Sequence, residues 1–331
     1  MPVNLRIDPR AVHKFSDFRL PTQLLANLEP KFAQPLPIQK KILALNSSGC
    51  SVLAHSMPRT GKSMAAILGM LSTPLAPKPF ITNLVLVPSP ALADQYYENM
   101  RSIAPVGDHI KRLYRTGSPD LDEEQHREVL SRDTHTLIGT PHRVLDYLST
   151  DPGLLQISHL KQLVVDELDV FAPSKVTEKK GPLEVLLDYL VSSSSPLLTA
   201  MATSTDSLGH FANLRGLLEK SSHPIFEAAE PEPEWPGEVR HFKTAPNDYV
   251  SALNRHWAGP GLVLVPSNLS PMKLQEKLDG LDAVVTDVAE IAGVNIDSLD
   301  RVYVLGDHTS SDLARLKWSM TGSDPKMYIF N

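Results

Sequence analysis

Short apolar runs alternate with longer amphipathic stretches along the first two thirds of the chain. The apolar runs predict buried β-strands at 51–54, 83–88, 136–139, 161–166 and 196–201. Between them, apolar residues recur every three or four positions, which predicts α-helices at 63–71, 90–103, 122–131, 141–149 and 182–192. Strands that alternate with helices in this way predict a parallel sheet with helices on both faces.

A polar segment interrupts this alternation. The stretch 221–238 contains Pro231, Pro233 and Pro236 together with several glutamates, a composition typical of a stiff, polar connector. A shorter alternation follows it, with strands at 261–266, 282–286 and 301–305 and a helix at 271–279. The pattern therefore predicts an α/β protein with a domain at 1–225, an acidic, proline-rich linker at 226–238 and a smaller second domain at 239–331.

The composition is that of an ordinary globular protein, 42% hydrophobic and 21% charged, with a net charge of −6. That charge excludes a broadly basic surface and leaves only local patches for a nucleic-acid partner. The single cysteine, Cys50, excludes an internal disulfide and favours a reducing compartment, which leaves cytoplasm, nucleus and mitochondrion open. No apolar run reaches the ~20 residues of a membrane span, and the first residues lack a signal-peptide core, so we expect no membrane partner.

The stretch AHSMPRTGKSMAA at 54–66 has the features of a phosphate-binding loop. Gly61, Lys62 and Ser63 stand between a predicted strand and a predicted helix, where backbone N–H groups at a helix N-terminus bind phosphate. In such loops the lysine reaches the outer phosphates and the hydroxyl holds magnesium.

Three positions of the loop depart from the usual pattern. Ser56 stands where glycine or alanine is expected. Pro58 removes one N–H donor, and Arg59 occupies a position that often needs the backbone freedom of glycine. By itself the triplet therefore predicts either a nucleotide site or a plain helix N-terminus.

Other segments distinguish these two alternatives, because seven motifs follow one another in an order and spacing that resemble the DEAD-box RNA helicases. The motifs are FSDFRLPTQLLANLEPKFAQPLPIQ (15–39), SMPRTGKS (56–63), VPSPALADQ (87–95), GTPHRVLDYL (139–148), LVVDELDVF (163–171), TAMATS (199–204) and VVTDVAEIAGVNID (284–297). The resemblance covers almost the whole chain. It implies two RecA-like domains with parallel sheets flanked by helices, the second truncated, with ATP and Mg²⁺ as cofactors and RNA or a ribonucleoprotein complex as partner.

The resemblance also implies roles for individual residues. Asp166 and Glu167 would be catalytic, the first holding Mg²⁺ together with Ser63 and the second orienting or deprotonating water. Thr140 and Arg143 would contact RNA. Nucleotide binding would fall to Phe15, Gln39, Ser56, Arg59, Thr60, Gly61, Lys62 and Ser63.

Several family positions have changed, which implies a degenerate member. Pro90-Ala91 replaces an Arg-Glu pair, His142 replaces a glycine and Met201 replaces a serine. The family stabilises the transferred phosphate with arginines near the C-terminus, but the only arginine of 310–330 is Arg315, which does not have the family's spacing. The preceding motif has Glu290, Ile291 and Ala292 where its arginine is expected.

The leading hypothesis is therefore an ATP-binding, RNA- or ribonucleoprotein-associated factor with little or no unwinding, held as a stable subunit of a larger assembly. An active ATP-dependent RNA helicase and a nucleotide-free interaction scaffold are the two alternatives. If the protein is an enzyme, it is an RNA helicase that hydrolyses ATP.

Overall fold

The computed structural model divides the chain into two compact units. The first comprises Met1–Ser56 and Thr60–Pro231, and the second comprises Met57–Arg59 and Glu232–Asn331. Each unit has its own parallel sheet and its own helices. The described residues are 5–77, 79–104, 109–130, 133–151, 153–171, 180–203, 223–230, 237–245, 248–266, 269–278, 280–287, 299–308, 312–313, 316–317, 320 and 324–331.

A seven-stranded parallel sheet forms the centre of the first unit. Its strands are β1 (Ser51–His55), β2 (Asn83–Leu86), β3 (Ile110–Leu113), β4 (Thr136–Gly139), β5 (Gln162–Val165), β6 (Leu197–Ala202) and β7 (Ile225–Ala229). They lie in the order β3-β4-β2-β5-β6-β1-β7. Strands β2, β4, β5 and β6 are buried at every position, which explains why their sequences are mostly apolar.

Helices cover both faces of this sheet. They are α1 (Thr22–Leu28), α2 (Pro37–Ser47), α3 (Lys62–Leu71), α4 (Pro90–Ile103), α5 (Pro119–Leu130), α6 (Pro141–Thr150) and α7 (Pro182–Ser193), with 3₁₀ turns at Phe15–Phe18 and Leu168–Phe171. Alternate strand residues join two separate cores. One core contains α1 to α4 and the other contains α6 and α7. Proline begins several of these helices, because the first N–H of a helix has no partner to lose.

The second unit contains a five-stranded parallel sheet. Its strands are β8 (Glu238–Phe242), β9 (Gly261–Val265), β10 (Ala283–Asp287), β11 (Arg301–Leu305) and β12 (Lys326–Phe330), in the order β10-β9-β11-β12-β8. Its helices include α8 (Tyr249–His256) and α9 (Pro271–Lys277). The single crossover helix predicted between β9 and β10 is α9. None of the helices in the described ranges is both long and apolar enough to cross a bilayer.

The predicted strands and helices are all present, with ends that differ by at most three residues. Absent from the prediction were α1, α2, α8 and the strands β3, β7, β8 and β12. Three of these strands, β3, β7 and β8, lie at sheet edges. An edge strand has no neighbour on one side and carries more polar residues, so its apolar pattern is weak.

The structure differs from the predicted linker at 226–238, because its first residues belong to β7. This strand pairs with β1 along its whole length, from Ser51 opposite Ile225 to His55 opposite Ala229. The side chain of Ala228 is 2% exposed and belongs to the first core. Lys41 forms an ion pair of 2.6 Å with Glu230, one residue beyond the strand. The prolines and glutamates that follow are typical of a linker, so the sequence pattern did not predict this short edge strand.

We expect Ala228→Asp to destabilise the protein strongly and Ala229→Asp to have little effect. Ala228 is buried and Ala229 is exposed. An unpaired charge at the buried position costs about 3–5 kcal/mol, whereas an exposed substitution usually stays within about 0.5 kcal/mol. Urea unfolding of the two variants measures the difference. Equal free energies of unfolding would show that this segment is a solvated linker.

Candidate active site

Segments from several strands meet at one edge of the first sheet. All strands of a parallel sheet point the same way, so the residues that follow β1, β4, β5 and β6 leave the sheet at its carboxyl edge. Strand β6 lies between β1 and β5. The loop 56–61 after β1 is therefore separated from Asp166, which follows β5, by only one strand.

Hydrogen bonds within the loop 56–61 and to residues beside it hold the loop in place. The Oγ of Ser56 and the Oγ1 of Thr60 are 2.6 Å apart. The buried ammonium of Lys62 donates a hydrogen bond to the carbonyl oxygen of Ser56. The backbone N–H of Ser56 also donates to the carbonyl of Ala202, at 3.3 Å, which ties the loop to β6. The lysine that would contact phosphate therefore lies against the backbone of the loop.

Gly61 joins the loop to α3 in a conformation that favours glycine. Its φ is 90°, and a Cβ at this position would lie 2.4 Å from the Nε2 of Gln39. That amide donates to the carbonyl of Gly61 at 3.2 Å, and its oxygen accepts the N–H of Leu36 at 2.8 Å. Gln39 thus connects the start of α2 to the loop 56–61. Phe15, predicted beside it, is 2% exposed and packs in the core.

Two residues other than glycine adopt left-handed backbone angles at this edge. Arg59 has a φ of 63° and Glu167 a φ of 50°. For a residue with a Cβ this conformation costs roughly 1–2 kcal/mol. Such strain is concentrated at sites with a function, where the surrounding structure holds it in place. The exposed Arg59 occupies the position at which the sequence indicated a need for glycine.

Asp166 lies at the centre of the site and is 2% exposed. Its Oδ2 accepts hydrogen bonds from the hydroxyl of Ser63 at 2.7 Å and from the hydroxyl of Tyr96 at 2.6 Å. Its Oδ1 accepts the backbone N–H of Glu167 at 2.8 Å. Burial, reinforced by the nearby charge of Asp166, raises the pKa of Tyr96 well above its ordinary value. Tyr96 is therefore a neutral donor.

A second set of contacts links the ends of β5 and β6. The hydroxyl of Thr203 donates to the Oε2 of Glu167 at 3.0 Å. The backbone N–H of Thr203 donates to the Oδ1 of Asp169 at 3.3 Å. All three residues are buried. The predicted catalytic glutamate is thereby held beside the segment that matches the family motif at 199–204.

These residues fit a nucleotide with bound magnesium. Mg²⁺ takes oxygen ligands and is usually held by one or two protein groups, with phosphates and water as the remaining ligands. The hydroxyl of Ser63 and the carboxylate of Asp166 offer such oxygens 2.7 Å apart, at the N-terminus of α3. The described residues contain no group of three or more His, Cys, Asp or Glu that could hold a metal.

The residues predicted to contact RNA lie further along the same edge. Thr140 precedes α6 and follows β4, which is separated from β1 by β2, β5 and β6. The guanidinium of Arg143 lies 5.1 Å from the ring centre of Tyr147, in a groove of about 330 Å³ between α5 and α6. The structure therefore brings Lys62, Ser63, Asp166 and Glu167 together and leaves the RNA-assigned residues apart from them.

The sequence did not identify Tyr96 as a site residue. It lies on the buried face of α4 with Leu92, Ala93, Met100 and Ile103. A buried tyrosine needs a partner for its hydroxyl, so a phenol in this apolar stripe was the available signal. Only the fold shows that the partner is Asp166, 70 residues away.

The fold and the site together define a P-loop protein of the α/β class, built on parallel sheets. A family model for DEAD/DEAH box helicases matches residues 36–206, more than half of the chain. The chain belongs to this family, as its motifs predicted.

Similar proteins include ATP-dependent RNA helicases of fungi and plants. "ATP-dependent RNA helicase DHH1" of Scheffersomyces stipitis is 32% identical over 187 residues, which are 56% of this chain and 35% of that protein. "DEAD-box ATP-dependent RNA helicase 6" of Oryza sativa subsp. japonica is 30% identical over 190 residues, 56% of this chain and 36% of that protein. The matched region spans about a third of the length of these relatives.

Solved structures of DEAD-box proteins share the fold. Dbp5 of S. cerevisiae bound to RNA and ADP BeF3 matches 96% of this chain and 89% of its own, with a TM-score of 0.70 and 16% identity. Mss116p bound to ssRNA and AMP-PNP matches 98% of this chain and 76% of its own, with a TM-score of 0.73 and 13% identity. The predicted fold class, RecA-like with parallel sheets flanked by helices, is confirmed.

We expect Gly61→Ala to destabilise the protein more than Gly49→Ala. Both glycines have a positive φ, so both substitutions carry a strain of roughly 1–2 kcal/mol. Only at Gly61 would the new Cβ also meet a side chain, the amide of Gln39, whereas Gly49 has open space around it. Overpacking adds about 1–3 kcal/mol. Equal midpoints of urea unfolding for the two variants would contradict the close approach of Gln39.

Proposed function

We propose that the first unit binds ATP with Mg²⁺ and that the chain acts as an RNA- or ribonucleoprotein-associated factor with little or no unwinding. The observation that carries the nucleotide part is the 2.7 Å contact between Ser63 and Asp166, directly beside Lys62 and the loop 56–61. Membership of the DEAD/DEAH box family supports ATP as the nucleotide. The printed names of the relatives, ATP-dependent RNA helicases, support RNA as the partner.

Each residue of the site has a role in the proposed complex. The backbone of the loop and the ammonium of Lys62 would bind the phosphates, and Ser63 and Asp166 would hold the metal. Glu167, fixed by Thr203, would orient the attacking water. The metal would supply charge neutralisation at the phosphate oxygens. Gln39 and Phe15 would lie at the adenine end, as the family resemblance implies.

Slow hydrolysis is proposed because cations are missing at positions where the family has them. Phosphoryl transfer in P-loop proteins depends on positioning and on charge neutralisation at the transferred group. An arginine supplied for this purpose accelerates the reaction by about 10³–10⁵-fold. In this chain Glu290, Ile291 and Ala292 replace one such arginine, and Arg315 does not have the spacing of the others. These residues lie outside the described ones, and their identities come from the sequence.

Weak RNA binding is proposed because acidic side chains lie beside two arginines of the first unit. Arg112 pairs with Asp94, and Arg115 pairs with Asp146 at 2.7 Å. Both pairs are partly exposed, and such pairs contribute about 0–1 kcal/mol each, so a phosphate can displace the acid. The carboxylate remains nearby, however, and reduces the net positive charge on which binding to a phosphate backbone depends. Low affinity for free RNA favours a protein held in a larger assembly.

We expect the wild-type protein to bind a fluorescent ATP analogue in a Mg²⁺-dependent manner. Lys62→Ala should weaken that binding by about 10- to 100-fold, because this is the range for a lost hydrogen bond to a charged group. Lys161→Ala is the matched control, because it removes the same charge at the amino end of β5, opposite the site. Equal affinities of Lys62→Ala and Lys161→Ala would contradict the proposed contact between Lys62 and the phosphates. Absence of binding in all three proteins would support the nucleotide-free scaffold.

We expect no RNA-stimulated ATP hydrolysis above background and no strand separation at saturating RNA. The missing arginines should slow turnover by about 10³-fold or more. Phosphate release, measured with and without RNA, tests this directly, and Glu167→Gln identifies any contaminating ATPase. A turnover of about 1 s⁻¹ or more that disappears in Glu167→Gln would establish the alternative, an active helicase.

A further inference from the structure

Tyr96 forms a contact with the proposed metal site that the motifs do not account for. Its side chain is 1% exposed, and its hydroxyl donates to the Oδ2 of Asp166 at 2.6 Å. The same oxygen accepts the hydroxyl of Ser63 at 2.7 Å. The other carboxylate oxygen accepts the backbone N–H of Glu167 at 2.8 Å. Three donors thus engage one carboxylate.

This arrangement leaves Asp166 little capacity for a further partner. An ionised carboxylate offers about four acceptor positions on its two oxygens, and three of them are taken. Mg²⁺ retains several of its waters and requires near-ideal octahedral geometry. The ion and its water shell must therefore share Asp166 with donors that are already in place. Ser63 can serve the metal through its own oxygen, but the phenol of Tyr96 only occupies an acceptor.

The position of Tyr96 makes its hydrogen bond costly to give up. The residue lies on the buried face of α4, and its ring packs in the first core. With 1% of its surface exposed, the hydroxyl has no bulk water to turn to when it leaves Asp166. Its other neighbour is the hydroxyl of Ser63, whose oxygen the proposed metal would also engage. A buried donor without a partner carries the desolvation penalty of an unmade hydrogen bond. The contact consequently stabilises the metal-free state more than the metal-bound state.

We propose that Tyr96 is a positioning residue that holds Asp166 in its metal-free arrangement and thereby raises the Mg²⁺ concentration that nucleotide binding requires. The inference rests on the proposed binding of ATP with Mg²⁺. Loss of the phenol hydroxyl lowers the Mg²⁺ requirement about 10-fold, the size expected for one hydrogen bond to a charged group.

The neighbouring Tyr97 provides a matched control. Its hydroxyl accepts a hydrogen bond from Arg101 at 3.4 Å, and Arg112 lies 4.4 Å from the centre of its ring. The substitutions Tyr96→Phe and Tyr97→Phe therefore remove the same atom from adjacent positions of one helix. Both keep the aromatic ring and its packing. Only the first removes a donor from Asp166.

The experiment uses the full chain as wild type, Tyr96→Phe and Tyr97→Phe. A fluorescent ATP analogue is titrated at Mg²⁺ concentrations from zero upward, and thermal unfolding is recorded in EDTA and in saturating Mg²⁺ with ATP. We expect half-maximal binding of Tyr96→Phe at about one tenth of the wild-type Mg²⁺ concentration. We expect its melting temperature to fall in EDTA and to recover most of that loss with Mg²⁺ and ATP. Tyr97→Phe should match the wild type in Mg²⁺ requirement.

Every outcome decides the proposal. An unchanged or raised Mg²⁺ requirement in Tyr96→Phe overturns it, as does an equal loss of melting temperature in EDTA and in Mg²⁺ with ATP. If the wild type binds nucleotide and only this comparison fails, the proposed function stands. If Tyr96→Phe binds the nucleotide and the wild type does not, the result supports the inference and contradicts the proposed ATP binding by the wild-type protein. Absence of binding in all proteins overturns both.

Discussion

The hydrogen bond between Ser63 and Asp166 joins residues 103 positions apart, and the first sheet is the structure that brings them together. Strand β6 pairs with β1 on one side and with β5 on the other, in parallel register from Val52 opposite Thr199 and from Gln162 opposite Leu197. A parallel strand needs a crossover of a dozen or more residues. The helices provide these crossover connections. Loss of the register would move the hydroxyl away from the carboxylate.

The same constraint explains which parts of the fold were predictable. Strands β2, β4, β5 and β6 are buried on both faces, so their sequences are short, mostly apolar runs that stand out from the helices around them. The edge strand β3 contains Lys111 and Arg112, and the edge strand β7 contains Glu227. Their polar residues are compatible with an unpaired side but conceal the apolar pattern. Strand β12 is mostly apolar and buried, so its sequence is compatible with the interior strand that the prediction missed.

Motif order predicted which site residues the family brings together, and Lys62, Ser63, Asp166 and Glu167 do lie at one sheet edge. It could not predict the bonds that each makes within this chain. The amide of Gln39 bonds to the carbonyl of Gly61, and the phenol of Tyr96 bonds to Asp166. Helical spacing places Tyr96 on the buried side of α4, but its partner depends on how α4 and β5 pack. Such contacts follow from tertiary structure rather than from local pattern.

Charge compensation at this edge connects the fold to the proposed activity. Asp166 and Lys62 are both buried, and burial of a charge is costly unless hydrogen bonds compensate it. Three donors surround the carboxylate, and the ammonium donates to the carbonyl of Ser56. A nucleotide with its metal would have to replace or share these hydrogen bonds. Its affinity would therefore be the difference in free energy between the bound site and the empty site with its internal hydrogen bonds. Hydrolysis requires further positive charge at the transferred phosphate. Hydrogen bonds compensate the two buried charges without cancelling them, so the proposed activity depends on cations from outside this edge.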